Sequence, residues 1–238
     1  MLNQEALKYL VGLGYEKEVL VETEKGLFSK VPLSRVKLPE IETLQVSNLT
    51  SIVDFLKADI DQVKTRLLIQ VVSPKEVRIL TPLEEDRNRE NILRAVAILP
   101  DNVVYNNFID TERFNIMLQS GFADTKDKDL LLKFTGLIRD EAVKDTGDDG
   151  VSQKVTIKTG VATVGDAVVP NPVTLAPYRT FPEIEQVESK FIFRMQEGPR
   201  AALFEADGGA WKNEAMKRIK EYLAKKLQSL GNKIEIIS

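Results

Sequence analysis

The chain has 238 residues, 43% hydrophobic and 29% charged, with a formal net charge of −3. That balance suits a globular protein with a sizeable core and lacks the basic excess that advertises nucleic-acid binding. There is no histidine and no cysteine, which excludes imidazole acid–base catalysis, thiol nucleophiles, disulfides and thiolate-bound zinc or iron–sulfur centres.

The N-terminal stretch has no basic segment followed by a long apolar one, so no secretion signal is expected. No apolar run approaches the roughly 20 residues of a membrane span. Residues 3–12 read as a short helix with Ala6, Leu7, Leu10 and Val11 at helical spacing, ended by Gly12 and Gly14. Glu18 to Glu22 alternates as a strand, Gly26 marks a turn, and Leu27 to Val31 returns. A connector with Pro32 and Pro39 follows.

A second helix is expected from Ser47 or Asn48, with Leu49, Ile52, Val53 and Leu56 on one face. Leu67 to Val72 and Glu76 to Leu80 read as strands joined by the turn Ser73-Pro74-Lys75. After the charged run Leu83 to Glu90, Ile92 to Leu99 makes a third strand, and three sequential antiparallel strands are the economical arrangement.

The middle reads as helical. Asp110 or Thr111 can cap one helix with Phe114, Met117 and Leu118 inward. Asp124 or Thr125 can cap another, with Leu130, Phe134, Leu137 and Ile138 inward, running to about Lys144. The loop Asp145 to Gly150 then stops it. Val151 to Val164 reads as a strand, and Val168 to Pro182, with four prolines, as an extended edge or an irregular crossover. Glu188 to Met195 and Arg200 to Ala206 form a hairpin around Glu197-Gly198-Pro199. A last helix starts at Asp207 or Gly208 with Trp211, Ala215, Ile219, Tyr222, Leu223 and Leu227 as its stripe. Gly231 ends it before a short strand, Lys233 to Ile237. The sum is an α+β fold: mostly antiparallel sheets, grouped helices, and a C-terminal helix packed on a β-hairpin. The chain reads as a single unit over 1–238 with a candidate subdomain boundary at 145–150.

Four segments carry candidate chemistry. Asp145, Asp148 and Asp149 offer oxygen ligands to a hard cation, but the calcium-loop spacing is missing, and a solvated turn is the plainer reading. Glu205 to Lys212 joins a strand to a helix with glycines at its start, yet it matches neither phosphate-loop spacing, and its carboxylates oppose an anion. The run Glu84 to Glu90 reads as a solvated hairpin tip. The densest cluster is Pro177-Tyr178-Arg179-Thr180-Phe181. There an arginine beside aromatics could hold a phosphate or carboxylate, with Arg194 and Arg200 adding charge. Tyr178, Arg179, Arg194 and Arg200 are therefore the candidate binding residues. The alternative is that Tyr178 and Phe181 pin a crossover to the core while Arg179 pairs with a glutamate. No Ser–His–Asp or Cys–His arrangement is available, and no carboxylate or Ser–Lys pair stands out by spacing, so no enzyme, metal or cofactor is expected.

The run Val168 to Leu175, the corner Pro177 to Phe181, the segment Phe191-Ile192-Phe193-Arg194-Met195 with Gly198, and the Trp211 helix together resemble a family of phage and prophage proteins. The likeness is stronger to members from phages of Gram-positive bacteria and more distant to the enterobacterial prophage protein YfdQ. It covers roughly residues 150–225, with Tyr178 where distant members often carry phenylalanine. It implies a phage-encoded protein working in the cytoplasm of an infected bacterium, and it carries over no catalytic residue or cofactor. The expected function is non-enzymatic binding or sequestration of a host protein or small molecule, as in counter-defence, by a homo-oligomer. The alternatives are an accessory factor of phage DNA replication or recombination, which the charge disfavours, and a self-assembling virion protein.

Overall fold

The computed structural model describes residues 4–5, 7–9, 20–23, 26–29, 41–63, 65–83, 87–136, 146–148, 153–159, 162–168, 171–196 and 198–238. Residues 1–40 and 41–238 form two compact units. In the first, the backbone is helical at residues 4–5 and 7–9. Strands β1 (Leu20–Thr23) and β2 (Gly26–Ser29) pair antiparallel, with Thr23 opposite Gly26.

The second unit is α+β. Its first sheet contains β3 (Leu44–Val46), β4 (Leu67–Ser73), β5 (Glu76–Leu80), β6 (Asn91–Val96) and β15 (Ile234–Ile237) in the order β15-β4-β5-β6-β3. The three central strands form the expected antiparallel meander. Both edges join in parallel, β15 to β4 and β3 to β6. Alternation decides which face is inside: Leu67, Ile69, Val71, Val77, Ile79, Leu93 and Ala95 are all buried. Helix α1 (Leu49–Ala58) lays Leu49, Ile52, Val53 and Leu56 in the same core. It starts at Asn48, whose Oδ1 accepts the Ser51 N–H at 2.7 Å.

The second sheet has the order β7-β14-β13-β12-β8, antiparallel throughout. Its members are β7 (Ile109–Asp110), β8 (Phe122–Ala123), β12 (Val173–Pro177), β13 (Ser189–Gln196) and β14 (Arg200–Glu205). Helix α2 (Thr111–Gly121) follows β7 directly and ends directly before β8, so it bridges the sheet from one edge to the other. The lengths match: 11 helical residues rise about 16 Å, and four strand spacings make about 19 Å. The proline-rich segment is thus not an edge, because β12 lies between β13 and β8. Phe114, Met117 and Leu118 face Phe191 and Phe193, as their spacing predicted.

Helix α3 (Lys126–Gly136) corrects one expectation. Leu130 is 47% exposed and Leu131 fully buried. The inward row is Lys128, Leu131, Phe134 and Thr135. Lysine takes an inward place because its ammonium donates to Phe122 O at 2.7 Å and Asp124 Oδ1 at 2.9 Å. The cap is Thr125, whose Oγ1 accepts the Lys128 N–H. Leu137, Ile138 and the expected helix end near Lys144 lie outside the described residues.

A third sheet, β11-β10-β9, is formed by β9 (Thr146–Asp148), β10 (Gln153–Thr159) and β11 (Ala162–Val168). The Val-, Thr- and Ile-rich stretch expected as strand holds β10 and the start of β11, which pair antiparallel, and Thr146–Asp148, expected in a loop, pairs with β10. Both five-stranded sheets draw strands from either side of 145–150.

Helix α4 (Ala210–Lys226) begins where Asp207 accepts the N–H of Gly209 at 3.0 Å. Ile219, Leu223 and Leu227 join the first sheet's core, and the first turn brings Trp211 toward the β13–β14 hairpin. A 3-10 turn (Gln228–Lys233) leads into β15. Among the described residues no helix is long and apolar enough to cross a membrane, and no cluster of three or more acidic side chains could hold a metal ion. Of the acidic loop, Asp148 falls in β9, while Asp145 and Asp149 lie outside the described residues.

Candidate functional site

The corner after β12 turns its arginine inward. Arg179 is 6% exposed. Its guanidinium carbon lies 3.9 Å from the Trp211 ring centroid and 5.7 Å from that of Phe191. Nη1 donates to Glu205 Oε1 at 2.9 Å, and Nη2 donates to Ser189 Oγ. Gln186 wires the loop itself: its Oε1 accepts the Arg179 N–H, and its Nε2 donates to Phe181 O and Ile184 O. Phe181 is fully buried in the first sheet's core, and Thr180 donates to Pro74 O. The corner therefore ties the second sheet to the first. Burial lowers the pKa of the Arg179 guanidinium, against the pull of Tyr105 and Glu205. Tyr105, stacked on Phe191 at 5.6 Å, has its phenol pushed up to about 12, chiefly by burial.

The four candidate binding residues do not converge. Tyr178 is 40% exposed, and its N–H donates to Gly121 O. Arg194 is partly buried, on the face of β13 opposite Phe193 and Ser189. Arg200 sits at the start of β14, where Nη2 donates to Phe108 O at 2.7 Å. Glu205, the partner of Arg179, ends that strand, about 16 Å away at strand rise.

Sequence reasoning missed a cleft at the C-terminal end of α1. Phe55, Leu56, Val63, Leu67, Leu230 and Ile234 line its floor, and Asp59, Asp61 and Lys233 its rim. The space it encloses is small, about 30 Å³. Two non-glycine residues of its loop, Asp59 (φ 45°) and Gln62 (φ 46°), are left-handed, a conformation that costs side-chain-bearing residues roughly 1–2 kcal/mol. The Gln62 N–H donates to Asp59 O at 3.1 Å, closing the turn. Lys233 Nζ is 3.7 Å from Asp59 Oδ2, which pins the loop to the end of the 3-10 turn. Ile60 is 76% exposed at the mouth. Strained backbone held over an apolar concavity is a pattern found at ligand sites. The cleft can take an apolar group on its floor and offer carboxylate or ammonium partners at its rim. Its only local sign in the sequence is the polar stretch after α1, which reads as an ordinary loop.

No family model, curated protein or solved structure matches this chain.

Proposed function

We propose that the chain is a phage-encoded, non-enzymatic binding protein that acts in the cytoplasm of an infected bacterium, where it holds a host factor or a small molecule. The phage setting rests on the resemblance carried by the Pro177 to Phe181 corner, the β13 segment and the Trp211 helix. The observation that supports binding is the cleft: an apolar floor from α1, β4 and the C-terminal segment, under a rim where Asp59 and Lys233 are paired. One small apolar group, from a small molecule or from a side chain of a host protein, matches that combination.

The test is native mass spectrometry of the protein purified from phage-infected cells. A retained small molecule or a stoichiometric host protein, lost in Asp59→Ala and Lys233→Ala, is the expected result. A bare chain from infected cells, with both variants indistinguishable from the parent, refutes the reading. Light scattering on the same sample tests self-association, and a 27 kDa monomer at micromolar concentration removes it.

A further inference from the structure

The outer face of the first sheet carries a second cluster, separate from the cleft. Residues 70, 78, 94 and 45 stand directly opposite one another across β4, β5, β6 and β3. They are Gln70, Arg78, Arg94 and Gln45, a row of amide and guanidinium groups about 14 Å long at strand spacing. None points into the core, where Ile69, Val77, Ile79, Leu93 and Ala95 are buried. Two arginines facing each other across a strand pair repel. Glu76, two residues before Arg78 and on the same face, offsets this. Its Oε1 accepts from Arg78 Nε at 2.7 Å and Arg94 Nε at 2.8 Å, and its Oε2 accepts from Arg94 Nη2 at 3.2 Å.

One carboxylate thus serves two guanidiniums and leaves the trio with a net positive charge. Glu76 is 16% exposed, whereas both arginine side chains are 38% exposed. The carboxylate is used from beneath, and each fork keeps N–H groups for solvent. Hydrogen bonds from Arg94, then Arg78, hold the Glu76 carboxyl down at about 2, so the clamp stays charged. Both arginines are ordered in advance, which removes much of the entropy cost of using them.

We infer that Arg78 and Arg94, held side by side by Glu76 and flanked by Gln70 and Gln45, form a receptor for a compact multivalent oxyanion, a phosphate group or a polycarboxylate. Guanidinium forks suit such oxygens because they donate two parallel hydrogen bonds. A compact anion fits better than a long polyanion. The whole chain carries −3 and repels a polyanion at range, while a small ligand senses the local positive charge.

The experiment is NMR of the arginine side-chain N–H groups of the full chain, titrated with inorganic phosphate and, separately, citrate, at ionic strength matched with chloride. Saturable shifts at Arg78 and Arg94, with a Kd of about 1 mM or tighter, are expected, while exposed Arg113 stays still. Tighter phosphate binding indicates a phosphorylated ligand, and tighter citrate binding a polycarboxylate. Arg78→Gln and Arg94→Gln should each weaken binding about tenfold or more. Arg94→Lys keeps the charge without the fork and should weaken it similarly. Shifts that follow ionic strength alone, or that move Arg113 equally, overturn the proposal without touching the cleft.

Discussion

Arg179 is the residue on which the two readings of the sequence lead to different experiments. A binding arginine replaced by alanine loses its partner and nothing else. A buried tie replaced by alanine loses stability. Arg179→Ala removes a desolvated cation–π contact worth about 2 kcal/mol and strips the buried Ser189 hydroxyl of a charged partner, at about 1–3 kcal/mol. It also opens a void beside Trp211, itself 7% exposed. Two terms work the other way. A buried charge no longer has to be desolvated, and Glu205, with 40% of its side chain exposed, rehydrates readily. The balance is a loss of roughly 2–4 kcal/mol, a fall in Tm of roughly 5–15 °C for a chain of this size.

Arg179→Met sharpens the test. It refills the void and keeps a polarizable group on the ring without a charge to bury. Arg179 Nε and Trp211 Nε1 are both buried without an acceptor among the described residues, so the native corner already carries an unmet polar cost that methionine lessens. The methionine variant should lose less than about 1.5 kcal/mol. Urea unfolding followed by fluorescence suits both variants, because the chain has one tryptophan and it lies against this guanidinium. Alanine within about 0.5 kcal/mol of the parent would refute the structural role. A methionine variant that folds normally but no longer captures a partner would restore the binding role.

Three further outcomes follow from the same contacts. Glu76 has its pKa lowered from 4.5 to about 2, first by Arg94, so its contribution is complete above pH 4.5 and is lost as pH falls toward 2. The unfolding free energy from urea titrations over that window should drop by roughly 2 kcal/mol in the parent, after solvent screening of the exposed guanidiniums, and stay flatter in Glu76→Gln. The Tyr105 phenol, raised to about 12, stabilises the fold fully below pH 10 and loses that contribution as pH rises to 12. Phenolate absorbance should show one tyrosine titrating late, and Tyr105→Phe should abolish that step. Gly121 leaves no room for a side chain, because a Cβ there meets Val103 Cγ2. Gly121→Ala should cost about 1–3 kcal/mol by thermal melting and disturb the Tyr178 N–H bond to Gly121 O.

Segments that bury one face by a simple period were legible. Helix α1, the β4–β6 meander and the β13–β14 hairpin each needed only their own residues to be recognised. The parallel edges were not, because the partner of Ile234 is Leu67, and neither segment's pattern names the other. Lys128 hid the inward row of α3, since a lysine reads as solvent-facing until Phe122 O and Asp124 arrive to receive it. The Arg179 cluster was rightly seen as dense, but its direction depends on Ser189, Glu205 and Trp211, which follow in sequence and converge only on folding. The cleft needs three segments and a left-handed turn at Asp59 and Gln62, for which the residues themselves give no cue.

The missing histidine has a consequence for binding as well as for catalysis. Histidine is the side chain whose charge ordinarily changes between about pH 5 and 8, and this chain has none. Within the trio, the Glu76 carboxyl moves away from that window, down to about 2. The trio on the outer sheet face should therefore keep one charge state across it. Phosphate protonates within the window, so a change in phosphate affinity there belongs to the ligand. Sulfate does not, and its affinity should stay flat from about pH 5 to 8 if Arg78 and Arg94 are the receptor. A sigmoidal loss of sulfate affinity inside that range would mean that another protein group titrates at the site, and Arg78 and Arg94 would not be what holds the anion.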